Sequence, residues 1–364
     1  MISDDPVALD DTAPVRAEEQ LDWQRVAQYL RERLPACEVA GLDIAAPMAV
    51  AQFPGGHSNL TYEIRFGDVD LVLRRAPFGP VAPSAHDMAR EYRWLRALHP
   101  VFPLAPKAYL WCDDPEPAGS AFYVMERRRG HVLRHSEPRE LAGNLEARRA
   151  ASSAVIDCLA TLHAIDAGAH PFNELGRPAG FVSRQVRGWT SRWQRAQTES
   201  CPAVDDVARW LGERIPPDPG TPAILHGDFK LDNLMLAFGN PSQVVAVFDW
   251  ELCAVGDRLV DLGLLLTYWT MSTDAGDAPD ALSSVTHREG WLPRDALIER
   301  YAAHGNDVNG IGYYEVLARF KLAVVLQQIY QRYRTGQTTD PRFARLDERV
   351  AQLARDAANY ASRL

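Results

Sequence analysis

The sequence predicts an α+β fold of two lobes: a small antiparallel β-sheet lobe with one helix, then a larger, mainly helical lobe. Three observations predict it. Apolar and charged residues alternate in Tyr62-Glu63-Ile64-Arg65-Phe66, and Leu71-Val72-Leu73-Arg74 follows across Gly67-Asp68, which reads as a β-hairpin. Met88, Tyr92, Leu95 and Leu98 recur every three to four residues, which gives a helix one apolar face. Beyond Arg129-Gly130 the chain turns helical, with Val155, Leu159 and Leu162 in 146–165 and the same periodicity in 316–334 and 346–360.

Taken in order, residues 1–20 carry six acids and one base and are expected to form an acidic leader, solvated or loosely docked, so that the folded body starts near Leu21. Leu21 to Leu34 reads as a helix closed by Pro35. A glycine-bearing loop, Phe53 to Thr61, precedes the hairpin, and a Pro/Gly-rich loop from Pro77 to Pro83 separates the hairpin from the helix that carries Glu91. The runs Ala108–Trp111 and Ala121–Glu126 complete the sheet, which gives a first lobe over 21–127 and a second over 128–364.

Composition narrows the function. The 364 residues are 46% hydrophobic and 24% charged, as in an ordinary globular protein. A net charge of -9 argues against a nucleic-acid partner. Five cysteines without a C-x-x-C pair indicate neither a zinc site nor a disulfide framework, and fit a reducing cytoplasm. An acidic N-terminus and the lack of a long apolar run argue against secretion and a membrane partner.

The chemistry concentrates in two segments. His226-Gly227-Asp228-Phe229-Lys230-Leu231-Asp232-Asn233 places an Asp, a Lys two later and an Asn five later before an apolar run, and the strand-like Val244–Phe248 ends on Asp249. A divalent metal on polyphosphate takes hard oxygen ligands from a carboxylate and a carbonyl, which Asp249 and Asn233 supply. Phosphoryl transfer to a hydroxyl needs a carboxylate near the acceptor and a cation beside the moving group, which Asp228 and Lys230 supply. The competing reading makes Asp228 and Asn233 turn residues and Asp249 a helix cap. His163 reads as a satisfied core histidine, and Trp189 and Trp193, four apart, as core packing.

HGDFKLDNLM followed by VFDWE resembles the catalytic and metal-binding loops of the aminoglycoside phosphotransferase-like kinases, distant relatives of protein kinases. The resemblance covers roughly 21 to 330 and implies a two-lobed, protein-kinase-like fold that uses ATP with Mg2+. It further implies that Phe53–Thr61 is the phosphate-covering loop with Ser58 as its hydroxyl, and that Met125-Glu126 is the hinge meeting adenine through main chain. Glu91 matches the acidic partner of the strand base, its alternative being an exposed helix-surface charge. That strand base, usually Lys, is Arg74 here, which keeps the charge but is larger. Arg74 and the segment Gln185–Trp193 are similar to the branch that contains the kinase-like region fused to certain acyl-CoA dehydrogenases. In Gly256-Asp257-Arg258-Leu259-Val260-Asp261-Leu262, Arg258 stands where the family has Pro, and Asp261 matches the carboxylate that braces the catalytic loop.

The expected activity is transfer of the γ-phosphoryl group of Mg-ATP to a hydroxyl of a small molecule, with no nucleic-acid or membrane partner. Arg184, Arg187, Arg192 and Arg195 in 181–195, a stretch without an acid, favour an anionic or neutral acceptor such as a hydroxyacyl thioester or hydroxy acid over an aminoglycoside; the alternative is a solvated helix face. A nucleotide-binding pseudokinase, suggested by Arg74 and the atypical glycine loop, is the competing class.

Overall fold

A computed structural model describes residues 11–54, 59–78, 87–134, 136–274 and 285–364. The chain divides into two units, Met1–Arg129 and Gly130–Leu364.

The first unit is built on α1 (Trp23–Arg33), β1 (Met48–Gln52), β2 (Leu60–Phe66), β3 (Val69–Arg75), α2 (Met88–Leu98), β4 (Ala108–Cys112) and β5 (Phe122–Glu126). The strands form one antiparallel sheet in the order β1-β2-β3-β5-β4. Its core lies on the α1 side, where Val26, Leu30 and Leu34 meet Tyr62, Ile64, Phe66, Leu71, Leu73, Phe122 and Val124. The alternation in β2 does not mean that its charged face meets water. Glu63 is buried too, with Arg127 Nε 3.2 Å from its Oε1. Glu63 thus enters a layer of buried charge pairs, where each ion needs its counter-charge, while Arg65, the other charged residue of the alternation, is exposed.

One expectation for this unit needs correction. The folded body starts before Leu21: Ala13 and Gln52 exchange N–H···O bonds of 2.8 and 2.7 Å, and the Tyr62 hydroxyl donates to Glu19 O at 2.8 Å. Residues 11–20 are therefore tied to the sheet edge. The sheet also holds a strand that the sequence does not mark, because the short, Ala-rich Met48-Ala49-Val50-Ala51-Gln52 pairs with β2 although its alternation is weak. As expected, the first α-helix closes just before Pro35, with Leu34 as its C-cap. Pro35 occupies the first turn of a 3-10 helix, Leu34–Cys37, where its missing N–H costs nothing.

The second unit runs through α3 (Leu145–His163), the single-turn α4 (Phe172–Leu175), α5 (Phe181–Ala196), α6 (Pro202–Glu213), β6 (Ala223–Leu225), β7 (Leu234–Ala237), β8 (Asn240–Val247), β9 (Ala254–Gly256), α7 (Leu259–Tyr268), α8 (Arg294–Ala303), α9 (Ile311–Arg334) and α10 (Leu346–Ala361). Helix α7 is apolar on nearly all sides and correspondingly buried. It lies so close to α9 that a Cβ on Gly263 would sit 2.7 Å from the Tyr314 carbonyl carbon. Two short antiparallel ladders, β6 with β9 and β7 with β8, cross this helical body. They position the chemistry, since one loop joins β6 to β7 and a second joins β8 to β9. Among the described residues no helix is long and apolar enough to cross a membrane.

Candidate active site

The β6–β7 loop is held from both ends and from below. Ala223, Ile224 and Leu225 are fully buried, and the loop re-enters the body at buried Phe229 and Leu231. Between them the chain must turn sharply. Gly227 adopts φ +82°, and a Cβ there would stand 2.6 Å from Leu252 O, so this position needs glycine. Asp261, in the first turn of α7, accepts the N–H of His226 at 2.6 Å and that of Gly227 at 2.8 Å. Burial raises the Asp261 carboxyl, but His163, His226 and the donated N–H groups outweigh it and hold the group below the ordinary carboxylate value. His163 in turn meets Asp261 Oδ2 at 3.4 Å and the Tyr301 hydroxyl at 2.6 Å, as a satisfied core histidine does. His226 clamps the two loops. Asp228 N–H donates to its Nδ1 at 3.2 Å, so the proton is assigned to Nε2, which lies 2.7 Å from the acceptor Phe248 O.

Asp228 is thereby presented with two partners. Lys230 Nζ lies 2.8 Å from its Oδ2, and Asn233 Nδ2 donates to its backbone O at 2.9 Å and to Oδ2 at 3.3 Å. Burial pushes the Asp228 carboxyl up, yet the ammonium groups of Lys230 and Lys321 more than offset this and keep it below the usual range. Lys230 is desolvated as well, but Asp228 and Tyr268 raise it, so the pair is charged on both sides. The Tyr268 ring lies 4.9 Å from Lys230 Nζ, and burial pushes its hydroxyl up to about 12. Lys321, on α9, donates to Gly227 O at 2.6 Å. Sequence reasoning missed it, although a lone lysine between Phe320 and Leu322 in an otherwise apolar stretch was the available signal.

The second loop brings Asp249 beside Asn233. Leu234 pairs with Val247, and Phe248 N–H donates to Asn233 O at 2.8 Å, so Asp249 is the next residue along. Asp249 has φ 65° and ψ 62°, a left-handed conformation that costs an L-residue about 1–2 kcal/mol. It precedes a 3-10 turn, Trp250–Leu252, without a side-chain cap bond, so a capping role does not account for the strain. The donor set fits magnesium. Asn233 faces Asp228 with its amide nitrogen, which leaves the carbonyl oxygen for a cation, and Asp249 adds a carboxylate; both are hard oxygen donors.

In the first unit Arg74 Nε lies 3.2 Å from Glu91 Oε2, and Glu91 is only 1% exposed. The pair joins β3 to α2, so Glu91 is not a surface charge. Glu126 ends β5, where its N–H donates to Lys107 O at 2.8 Å and its carboxylate accepts the Lys107 N–H at 3.1 Å and meets Arg128 at 2.9 Å. Its own N–H is thus already used. Ser58 lies outside the described residues. Trp189 and Trp193 are buried, Trp193 donating to Asp205 at 2.7 Å. Of the four basic residues read together in 181–195, Arg184 is used on the carbonyls of Ala179 and Arg177, while Arg192 lies over the Trp189 ring.

Two ladders that juxtapose an Asp-x-Lys-x-x-Asn loop and an Asp loop under a buried carboxylate brace are the architecture of a kinase-like phosphotransferase. Spectinomycin phosphotransferase in complex with ADP and spectinomycin shares the fold, with a TM-score of 0.57 over 92% of this chain and 98% of that one at 12% identity. A protein assigned to the aminoglycoside phosphotransferases from Ralstonia eutropha aligns with a TM-score of 0.78 at 28% identity, covering 94% and 99% of the two chains. The chain belongs to the phosphotransferase enzyme family, whose sequence signature matches residues 49–297, and is a small-molecule phosphotransferase. It is 33% identical over 333 residues to acyl-CoA dehydrogenase family member 11 of Mus musculus, a match covering 90% of this chain and 41% of that protein. The chain therefore spans about two fifths of that relative's length, and the branch suggested by Arg74 and Gln185–Trp193 agrees with the match.

Proposed function

We propose that the protein transfers the γ-phosphoryl group of ATP to a hydroxyl of a small molecule. The observation that carries this reading is the bonded set Asp228, Lys230 and Asn233, fixed on a loop whose N–H groups are held by Asp261. An ionised carboxylate on a rigid loop can accept the acceptor's hydroxyl proton at Oδ1 or Oδ2, and Asp228 is kept ionised by its neighbours. Lys230, released from Asp228 or shared with it, would neutralise charge on the moving phosphoryl group. Asn233 and Asp249 would hold Mg2+, which when bound supplies charge neutralisation on the phosphates. In the first unit Arg74, oriented by Glu91, would fork onto phosphate oxygens, with Ser58 covering them and the Met125-Glu126 segment meeting the base through main chain. Support for ATP comes from the ADP carried by the spectinomycin phosphotransferase of the same fold. The acyl-CoA dehydrogenase relatives favour a hydroxyacyl thioester or hydroxy acid as acceptor over an aminoglycoside.

Thermal melts with ATP alone, Mg2+ alone and both together test this reading. A ligand at a hundredfold excess over Kd adds about 2.7 kcal/mol to the stability of the state that binds it. The wild-type protein should show a shift that needs both components, and Asp249→Asn should lose it while keeping its unliganded melting temperature within a few degrees. Absence of any shift in the wild type would contradict the nucleotide site.

A further inference from the structure

Residues 11–20 lie outside the stretch that carries the family signature, and the phosphoryl-transfer scheme gives them no task. Among the described residues, their backbone pairs with the sheet in a single bridge, Ala13 with Gln52, at the last residue of β1. The glycine-bearing loop begins there. It joins β1 to β2, and Phe53 N–H donates to Thr61 O at 3.1 Å to close its stem. A segment that merely covered a sheet edge would run along β1, because an open edge presents a whole row of N–H and C=O groups.

The side-chain contacts converge on the same stem from both of its strands. Gln52 is buried, and each of its polar atoms is spent on the segment. Its N–H donates to Ala13 O at 2.7 Å, its O accepts the Ala13 N–H at 2.8 Å, its Oε1 accepts the Arg16 N–H at 2.9 Å, and its Nε2 donates to Glu19 Oε2. A buried amide is costly without such partners, so packing alone would favour an apolar side chain here. Across the ladder Gln52 pairs with Tyr62, whose hydroxyl donates to Glu19 O at 2.8 Å. Glu19 therefore holds both members of one cross-strand pair, and Arg16, 2.5 Å from Glu19 Oε2, orients it. Arg127 adds a second tie. Its guanidinium lies 4.8 Å from the centroid of the Phe53 ring, the first residue of the loop, and pairs with Asp11 and with Glu63.

We propose that residues 11–20 are a strap that positions the loop Phe53–Thr61 for the nucleotide phosphates, with Glu19 and Gln52 as its positioning residues. This rests on the phosphotransferase reading above and adds to it how that loop is held ready. Fixing both stem residues before ATP arrives removes an ordering cost that binding would otherwise bear. The effect of Glu19 and Gln52 passes through the stem, at Phe53 and Thr61, and not through a contact of their own with the nucleotide.

The test titrates the full chain calorimetrically with Mg2+ and a non-hydrolysable ATP analogue, and separately follows hydrogen exchange over residues 50–62 without nucleotide. Gln52→Glu sets a second carboxylate against Glu19; it should weaken analogue binding about tenfold and speed exchange over 50–62. Gln52→Met, which keeps the volume and loses the amide, should weaken binding several-fold and carries the comparison if the charged variant does not fold. Exchanging the pair, Glu19→Gln with Gln52→Glu, again sets a donor opposite an acceptor and should bring affinity and exchange back to within about threefold of wild type. Val26→Ala, in the core beside α1, is the control: it should lower the melting temperature and leave the affinity unchanged. Equal losses of affinity in Val26→Ala and the Gln52 variants, unchanged affinity in the Gln52 variants, or an exchanged pair that rescues nothing would overturn the strap. A wild type that does not bind the analogue would refute the nucleotide site itself, whereas wild-type binding that the Gln52 variants leave untouched would refute the strap alone.

Discussion

The two units hold their candidate site charges by opposite means. In Met1–Arg129, Arg74 and Glu91 form one ion pair between a strand and a helix, with Glu91 sealed from water. In Gly130–Leu364, the charge on Asp228 is shared among Lys230, the Asn233 amide and Lys321, and its loop hangs from Asp261 by two N–H bonds. A single buried pair fails all at once when one partner is removed. A network loses its members one at a time, each loss being partly absorbed by the rest.

The largest effect should come from breaking the buried strand–helix pair. Arg74→Met takes from the buried Glu91 the guanidinium 3.2 Å away and should cost about 3–5 kcal/mol, read as lost hydrogen-exchange protection in β3 and α2. Arg74→Lys keeps the charge and should cost far less stability, while weakening Mg-ATP binding through the lost second donor. A mild Arg74→Met phenotype would mean that Glu91 finds another partner.

Asp261→Asn is the matching cut in the network. An amide can accept one of the two loop N–H groups but turns an NH2 toward the other, so the loss should be about 1.5–3 kcal/mol. For a unit of this size that lowers the melting temperature by about 2–4 °C per kcal/mol. Turnover should fall too, although Asp261 touches no substrate, and equal melting temperatures for variant and wild type would contradict the brace.

The smallest effect is that of pH on the Asp228–Lys230 pair. Because the folded Asp228 carboxyl is held below its unfolded value, the stability it adds is fully present above about pH 4–5 and is lost only as pH falls through the lower folded value. The stability difference between wild type and Asp228→Asn should stay flat from pH 8 to 5 and change only in acid. A change between pH 7 and 6 would contradict the assignment.

Much of this contrast was legible in the sequence. The spacing of Asp228, Lys230, Asn233 and Asp249 marks two loops that the ladders β6–β9 and β7–β8 bring side by side, because apolar strand residues flank each loop. The period of α2 placed Glu91 on a helix, but its burial depends on β3 lying opposite, and no local pattern records that. The apolar surroundings of Lys321 marked it as unusual, but nothing within α9 reports that its ammonium reaches Gly227, far away in the chain. The weak alternation of β1 hid a strand whose existence depends on pairing with β2 on one side and Ala13 on the other. Long-range partners decide such cases, and they are what a single sequence shows least well.

The central claim is that Asp228 acts in the chemical step and not in nucleotide binding. The decisive measurement is the rate of ADP formation from Mg-ATP with a hydroxyl acceptor by Asp228→Asn, beside its Mg-ATP melting shift. The account predicts a rate lower by about 10²–10⁴-fold with the shift unchanged. A retained rate, or a lost shift with the chemistry intact, would contradict it.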